Sequence, residues 1–314
     1  MDYFVEEKTY GQEMQTRVEP YLTARRQDGE LTSFDGAVLH YARFSPDSPR
    51  GRVVILHGFA ESLEKFRELT YYFLQEGYET FVPDLRGHGL SHRPVADLTL
   101  SHVDRFEDYV KDLEAFMDRV VGEPCCLFAH SMGGAVAALY MERHPDRVLR
   151  AVLASPMIAP ARGKMPLWVA KAVCGFFCLL RRGDRRLFLS GEYTGPEKFE
   201  ESCATSPARF AYYDALRVAT PSIQNNGPSY RWTLEALRVT RSILRRGEPE
   251  KIAAPVLLLQ AAGDTVVLLP PQNAFVARLP RGTLRRVACK HEVYRAQDPV
   301  WRQIWKEMLD FYRA

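Results

Sequence analysis

Short apolar segments alternate with longer segments of helical periodicity along most of the chain. The apolar segments are typical of strands that are buried on both faces of a parallel sheet, and they cover residues 52–56, 79–82, 125–129, 148–154, 255–260 and 283–288. Helices are predicted at 63–75, 106–121 and 300–312, where apolar residues recur at helical spacing or helix-forming residues predominate. This alternation predicts an α/β fold with a mainly parallel sheet and helices on both faces.

The alternation is interrupted in the second half of the chain, where residues 157–250 lack it. This segment contains an apolar helix at 167–180 and a further helix at about 232–245, and we interpret it as an inserted helical cap over the sheet. Residues 29–156 and 251–314 then form the core, which opens with a hairpin at 31–44 turning at Asp35-Gly36. The polar and charged residues 1–28 are predicted to form an arm that covers the outside of the domain.

Composition narrows the class of protein. The 314 residues carry a net charge of +3 and no basic stripe, so no nucleic-acid partner is expected. The N-terminus lacks a basic segment followed by an apolar core, and the apolar segment 167–180 contains Lys171 and is too short to span a bilayer. Six scattered cysteines without zinc-like spacing indicate reduced packing residues. Together these features predict an intracellular, cytoplasmic protein.

Ser131 lies at a sharp turn between a predicted strand and a predicted helix. The apolar segment 125–129 leads into it, two small residues follow Met132, and residues 135–143 are strong helix formers. A serine at such a turn is held in a strained conformation with its hydroxyl exposed, which is typical of a nucleophile elbow. The first glycine of the usual pattern is replaced by Ala129, whose methyl group is the least intrusive substitute. An ordinary turn serine in a non-catalytic fold is the competing interpretation.

A serine nucleophile needs a base that accepts its proton and an acid that orients the base. Only His144 and His291 follow Ser131 in the sequence. His144 ends a predicted helix, whereas His291 follows the last strand, where a base reaches a serine at the same sheet edge. Asp264 follows the strand 255–260 and is the candidate acid, since the other aspartates after Ser131 lie in the cap, at a helix end or beyond His291.

Two backbone N–H groups are needed to bind the developing oxyanion, and we expect them from Met132 and Phe59. Gly58 allows the backbone to approach the substrate. His57 and His130 flank the site and are interpreted chiefly as structural hydrogen-bonding residues. Asp84 is expected to hold a glycine-rich turn. The candidate substrate-binding residues are Gly58, His130, Trp168 and Phe176.

With these groups in place, the chain resembles the α/β-hydrolase superfamily and, more narrowly, the lysophospholipase L2 and monoacylglycerol lipase group. The residues that carry the resemblance are His57-Gly58-Phe59, Asp84-Leu85-Arg86-Gly87-His88-Gly89-Leu90-Ser91, Ala129-His130-Ser131-Met132-Gly133-Gly134, Leu259-Gln260-Ala261-Ala262-Gly263-Asp264 and Lys290-His291-Glu292-Val293. The resemblance implies an α/β-hydrolase fold and a serine ester hydrolase that cleaves a lipid with one acyl chain through an acyl-enzyme. Such an enzyme needs neither a metal nor an organic cofactor.

Two alternatives remain open at this stage: a carboxylesterase for small soluble esters, and a ligand-binding protein without enzymatic activity. The apolar segment 167–180 also has two interpretations. It is either a cap helix buried on the core or, together with Arg181, Arg182, Arg185 and Arg186, a surface that docks on anionic lipid at the inner membrane surface. The head-group preference and the oligomeric state do not follow from the sequence.

Overall fold

The computed structural model describes residues 2–122, 124–188 and 190–314. Its main sheet contains the strands β1 (Arg26–Thr32), β2 (Val38–Phe44), β3 (Gly51–Leu56), β4 (Tyr78–Pro83), β6 (Cys125–His130), β7 (Val148–Ala154), β9 (Val256–Ala261) and β10 (Gly282–Val287). Their order is β1-β2-β4-β3-β6-β7-β9-β10. The pairs β1-β2 and β2-β4 are antiparallel and the remaining pairs are parallel, which confirms the predicted mainly parallel sheet. The short strands β5 (Leu100–Ser101) and β8 (Gly227–Pro228) pair separately.

The connections between the strands are mainly helical. The helices are α1 (Tyr10–Glu13), α2 (Glu19–Thr23), α3 (Arg67–Gln75), α4 (Phe106–Phe116), α5 (Met132–Arg143), α6 (Leu167–Leu179), α7 (Pro207–Ala219), α8 (Tyr230–Ile243), α9 (Leu269–Val276) and α10 (Asp298–Arg313). A π-helical turn at Met117–Val121 extends α4. No helix in these described ranges is long and apolar enough to cross a membrane.

The central strand β6 illustrates why its sequence is apolar up to its last residue, His130. All six of its residues are buried. Leu127 and Ala129 contribute to one hydrophobic core, whereas Cys126 and Phe128 contribute to the core on the opposite face. Because both faces are covered, a polar residue at any of positions 125–129 would lose burial energy, at about 25 cal/mol per Å² of apolar surface.

Residues 4–23 pack against the core. Phe4, Val5, Tyr10, Met14, Val18 and Leu22 are buried. The Val5 N–H donates to the Tyr72 hydroxyl at 2.9 Å, and β1 already begins at Arg26, inside the segment that the sequence assigned to the arm. From Tyr10 onward these apolar residues recur every four positions along a helical segment and form a buried stripe, which the polar composition of the arm concealed.

Between β7 and β9 the chain forms α6, α7, β8 and α8. Helix α6 packs mainly against α8, where Cys174, Tyr230 and Leu234 form a small separate core. Helix α7 was not predicted from the sequence. It begins at Pro207 after Ser206, whose hydroxyl accepts a hydrogen bond from the Arg209 N–H.

Candidate active site

The turn between β6 and α5 places Ser131 in a strained backbone conformation with a positive φ, 50°, and a ψ of −115°. Such a conformation is costly for a residue with a side chain, so the surroundings must impose it. The helix approaches β3 closely, because a Cβ atom on Gly133 would lie 2.5 Å from the Leu56 carbonyl oxygen. A Cβ atom on Gly134 would lie 2.6 Å from Cβ of Pro156. Glycine is therefore required at both positions after Met132.

Three polar side chains meet at the carboxyl edge of the sheet. The His291 Nε2 atom lies 2.9 Å from the Ser131 Oγ atom, and its Nδ1 atom lies 2.7 Å from Asp264 Oδ2. Since a carboxylate can only accept hydrogen bonds, the Nδ1–H group donates one to Asp264. The Nε2 atom is then free to accept a hydrogen bond from the serine hydroxyl. The structure thus brings together the three residues that the sequence nominated, each in the loop directly after β6, β9 or β10.

The Asp264 carboxylate is held in one orientation by backbone groups. Its Oδ1 atom accepts hydrogen bonds from the N–H groups of Val266 and Val267, at 2.8 and 3.0 Å. Burial raises the pKa of Asp264, but the hydrogen bond and positive charge of His291 and the two N–H groups outweigh burial, so its pKa lies below the ordinary value. The side chain is therefore a carboxylate at neutral pH and can stabilise a positively charged imidazole.

The two N–H groups predicted to bind an oxyanion lie on different elements, Phe59 in the turn after β3 and Met132 at the start of α5. Within the described part of the chain, no hydrogen bond engages the N–H group of Phe59 or of Met132, so both are available to a ligand. Gly58 is tightly enclosed, because a Cβ atom there would lie 3.1 Å from Ser131 Cβ and 2.9 Å from a Glu61 oxygen. Ala60 has a positive φ of 56°, which bends the backbone directly after Phe59.

A buried charge network supports this turn, and the sequence analysis missed it. Glu61 Oε2 accepts from the Gly58 N–H at 2.6 Å, and Oε1 accepts from the Tyr294 hydroxyl at 2.8 Å. The Lys65 Nζ atom lies 2.8 Å from Glu61 and 2.6 Å from Glu292. The four-residue spacing of Glu61 and Lys65 was the available signal.

The pKa values within this network follow from its charges. Burial raises the pKa of Glu61, but the charge of Lys65 and the hydrogen bonds from Lys65 and the Gly58 N–H are among the effects that together outweigh burial and hold this pKa well below its usual range. Burial also raises the pKa of Glu292, yet Lys65 and Arg295 bring it down to about 2. Burial would lower the pKa of Lys65, but its two carboxylate partners keep it above the ordinary value. All three groups are therefore charged at neutral pH.

The two flanking histidines are neutral, and backbone groups supply most of their hydrogen bonds. His57 Nε2 accepts from the Leu85 N–H at 2.8 Å, and burial lowers the pKa of His57. His130 Nδ1 donates to the Ala154 carbonyl at 3.1 Å, and burial lowers the pKa of His130 to about 4. The His130 ring also contacts the His291 ring, with centroids 4.7 Å apart. Asp84 accepts from the N–H groups of Leu63 and Leu90 and so holds its loop.

The structure contains two cavities of different character, of which only the polar one is lined by Ser131 and His291. A polar cavity of about 590 Å³ is lined by Ser131, His291 and His130 and extends under α7. A mainly apolar cavity of about 300 Å³ lies between α6 and α8. Phe59 lines the polar cavity and packs on Trp232, which lines the apolar one, with ring centroids 4.2 Å apart.

The other candidate substrate-binding residues are placed differently. Trp168 is 74% exposed and Phe176 is 57% exposed, and neither side chain lines the two cavities. The structure therefore does not bring them to Ser131. They lie on the outer side of α6, because that helix directs smaller residues, Ala170 and Cys174, inward. Across residues 2–122, 124–188 and 190–314, no group of three or more His, Cys, Asp or Glu side chains is arranged to hold a metal ion.

Comparison with known proteins agrees with this architecture. The family described as serine aminopeptidase, S33 matches residues 47–294. Lysophospholipase L2 of Escherichia coli K12 is 31% identical over 248 residues, which cover 77% of this chain and 72% of that protein. A probable lysophospholipase L2 of Haemophilus influenzae is 26% identical and covers 83% of each chain.

Solved structures of lipases share the fold. Paleococcus ferrophilus monoacylglycerol lipase superposes with a TM-score of 0.68 at 22% identity, covering 86% of this chain and 96% of its own. A soluble variant of monoglyceride lipase from Saccharomyces cerevisiae gives 0.70 at 20% identity, covering 91% and 94%. The sheet order, the strained serine turn and the match to most of the chain lead to one assignment. The chain is an α/β-hydrolase and belongs to the serine aminopeptidase S33 family.

Proposed function

We propose that the protein is a serine ester hydrolase that cleaves the acyl ester of a single-chain lipid, a lysophospholipid or a monoacylglycerol. The observation that carries the proposal is the chain of hydrogen bonds from Ser131 through His291 to Asp264, which opens into a polar cavity beside an apolar one. The relatives named lysophospholipase and monoacylglycerol lipase support the same class of substrate.

The reaction proceeds in two steps. The Ser131 Oγ atom attacks the ester carbonyl carbon while His291 Nε2 takes the hydroxyl proton, and Asp264 stabilises the resulting imidazolium. Collapse of the tetrahedral intermediate breaks the bond to the alcohol oxygen, which receives the proton from His291. Water then attacks the acyl-enzyme, again losing a proton to His291, and releases the fatty acid and free Ser131.

The negative charge on the carbonyl oxygen develops where the free N–H groups of Phe59 and Met132 can meet it. Each such donor contributes several kcal/mol, about 2.7–4 where one has been removed from a serine hydrolase. Gly58 keeps the backbone close to Ser131, and its own N–H is held by Glu61. The proposed oxyanion hole is therefore fixed before substrate arrives.

The two cavities suit the two ends of a single-chain lipid. The acyl chain fits the apolar cavity between α6 and α8, because burying each methylene contributes about 0.8 kcal/mol. The alcohol portion fits the polar cavity, whose lining includes the charged Lys65 and Glu292. A small soluble ester would leave the apolar cavity empty and forgo that contribution.

We further propose that α6 makes peripheral contact with the inner membrane surface. Its outer side and the loop after it expose apolar side chains, namely Leu167, Trp168, Phe176, Leu179, Leu180 and Phe188. Arg181, Arg182 and Arg185 are exposed beside them, whereas Arg186 is engaged by Asp97 at 2.7 Å. Exposed apolar groups next to arginines favour an anionic lipid surface.

Membrane contact is tested by cosedimentation with phosphatidylglycerol-rich vesicles. Replacing Arg181, Arg182 and Arg185 by Glu is expected to reduce binding at least tenfold, since each basic residue near such a surface contributes about 1 kcal/mol. The matched control replaces Arg119, Arg281 and Arg286 by Glu. These arginines are exposed on the core, so this variant should retain most of the wild-type vesicle binding. Equal binding by both triple variants would contradict the proposed membrane contact but would leave the proposed ester hydrolysis standing.

The enzymatic proposal is tested by fatty acid release from lysophosphatidylcholine, a monoacylglycerol and a butyrate ester. We expect the wild type to favour the long-chain lipids and Ser131→Ala to lose activity at least 10³-fold. Activity confined to the short ester would assign a general carboxylesterase. Labelling of Ser131 by a fluorophosphonate without turnover of any ester would indicate a binding protein, and cleavage of an aminoacyl anilide instead would indicate a peptidase.

A further inference from the structure

The strained turn at Ser131 must be held by its surroundings, and the segment after β7 supplies the support. We propose that Gln272, a buried residue of α9, is a positioning residue that keeps this segment in place and so fixes the serine hydroxyl toward His291. The inference rests on the ester hydrolysis proposed above and adds a residue outside the triad on which the reaction rate depends.

Ser131 is held on both sides by the end of β7 and by residues 155–161, the bridging segment that follows it. The Ser131 N–H donates to the Ala154 carbonyl at 3.1 Å, and the Ser131 carbonyl accepts from the Met157 N–H at 2.8 Å. Between these two contacts, Ser155 is fully buried and has a positive φ of 45°. The strained turn is therefore hydrogen-bonded to a segment that is itself strained and needs support from elsewhere.

The bridging segment also contacts the loop that carries Asp264. The Ala161 N–H donates to the Val266 carbonyl at 2.8 Å, and the Leu268 N–H donates to the Ala159 carbonyl at 2.9 Å. Val266 is one of the two residues whose N–H groups hold the Asp264 carboxylate. The bridging segment is therefore hydrogen-bonded to the turn of the nucleophile at one end and to the loop of the acid at the other.

Gln272 holds the bridging segment at Pro156. The Gln272 Nε2 atom donates to the Pro156 carbonyl at 3.0 Å. A second donor to this carbonyl, the Ile158 N–H, lies within the bridging segment itself, so Gln272 is the donor that ties the carbonyl to another element. Pro156 also packs closely on Gly134, in the first turn of the helix that follows Ser131. A displacement of Pro156 would therefore disturb the nucleophile turn from both directions.

A second buried amide sets the orientation of the Gln272 side chain. A carbonyl oxygen only accepts, so the NH₂ group of Gln272 faces Pro156, and its Oε1 atom accepts from Gln260 Nε2 at 3.0 Å. Gln260 is a buried residue of β9, and its Nε2 atom also donates to Asn273 Oδ1 at 2.9 Å. An apolar side chain of similar size would fill this space without the cost of burying an amide. What the amide adds is a directed hydrogen bond to the bridging segment.

The test is Gln272→Met, which keeps the size of the side chain and removes its donor. For the ester that the wild type cleaves best, we expect kcat to fall about ten- to hundredfold with KM changed less than about twofold, because a small displacement of the nucleophile slows the reaction and leaves binding intact. The rate at which a fluorophosphonate labels Ser131 should fall in parallel. Gln260→Met should lower kcat less strongly. Added to Gln272→Met, it should lower kcat by less than about a further twofold, since Gln260 acts through Gln272.

The matched control is Tyr312→Phe, which removes another buried side-chain donor to a backbone carbonyl, that of Leu127 on β6. It should keep the wild-type kcat and labelling rate even where thermal melts show lost stability. If Gln272→Met does not fold, Gln260→Met is compared with this control instead.

An unchanged kcat and labelling rate in the glutamine variants, or an equal loss in Tyr312→Phe, overturns the positioning role of Gln272 while ester hydrolysis stands. If Ser131 is labelled in the wild type but no ester is cleaved, the proposed function fails, and the labelling rates of the variants still decide the positioning role. A wild type that is neither active nor labelled would overturn both proposals.

Discussion

Glu61 lies beneath the turn that carries Phe59 and accepts hydrogen bonds from the Gly58 N–H and the Tyr294 hydroxyl. It touches neither the serine nor the proposed oxyanion position, so its role is to position the turn. The Lys65 ammonium keeps the side chain ionised and directs it. A strong, charge-assisted acceptor therefore fixes the direction of the backbone at the point where charge develops during the reaction.

At this residue scale we expect Glu61→Gln to lower kcat about tenfold with little change in KM, because the amide loses the charge that holds Lys65 and loosens the turn. Steady-state kinetics on a soluble ester, with the rate of fluorophosphonate labelling, measures the effect. The control is Glu64→Gln, which removes a nearby carboxylate paired with Arg26 and Arg67 outside the active-site cavities. An unchanged kcat, or an equal loss in both variants, would contradict a positioning role.

At the scale of elements, α6 and α7 are attached to the rest of the molecule in different ways. Helix α7 carries Arg209, which is 1% exposed and ion-pairs with Glu68 and Asp298, both at 2.8 Å. The same guanidinium donates to the carbonyls of Val5 and Ala296. One side chain thus ties α7 to the core and to the N-terminal segment. Helix α6, in contrast, packs mainly on α8.

We expect Arg209→Met to destabilise the protein by about 3–5 kcal/mol, because it leaves the buried Glu68 carboxylate without its partner. Denaturant unfolding followed by circular dichroism measures the change. Arg238→Met serves as the control, since Arg238 is exposed on α8 and its one ion pair among the described residues is with Glu235 of the same helix. The Arg238→Met substitution should lower the free energy of unfolding by less than about 1 kcal/mol. Similar stabilities for the two variants would show that α7 is not anchored through Arg209.

Over the whole molecule, the features that sequence predicted are those encoded by local patterns and by order along the chain. The doubly covered strand β6 was evident from its apolar run, and Ser131, Asp264 and His291 were nominated because each follows a strand. Features that depend on side-chain direction were not accessible. Glu61 was missed because its role depends on how a strained turn is oriented, and Trp168 was misplaced because an apolar helix does not reveal which of its sides faces the core.

A buried acid on α5 makes global stability depend on pH. Glu142 is 5% exposed, and its Oε1 atom has no hydrogen-bond partner in the described ranges. Burial, with a smaller contribution from Glu248, raises the pKa of Glu142 from 4.5 to about 8. Because the folded state favours the protonated form, the stabilisation is present below the unfolded pKa and is lost as the pH rises through about 8.

We therefore expect Glu142→Gln to gain stability relative to the wild type as the pH rises from about 5 to about 9, with a difference in Tm of about 2 °C or more at the upper end. Thermal melts over this pH range measure the difference. Glu200→Gln, which removes an exposed acid, should melt in parallel with the wild type. Parallel curves for Glu142→Gln as well would mean that Glu142 is ionised in the folded protein at low pH.

The packing of Trp232 on Phe59 has a spectroscopic consequence. The indole lines the apolar cavity, its Nε1–H donates to the Tyr109 hydroxyl, and its ring touches the residue that offers a proposed oxyanion donor. Trp301 and Trp305 are buried far along the chain in α10, and Trp168 is open to solvent. In a variant that keeps Trp232 as its only tryptophan, the fluorescence emission would change when an acyl chain displaces water from the cavity. This change would precede the breaking of any bond.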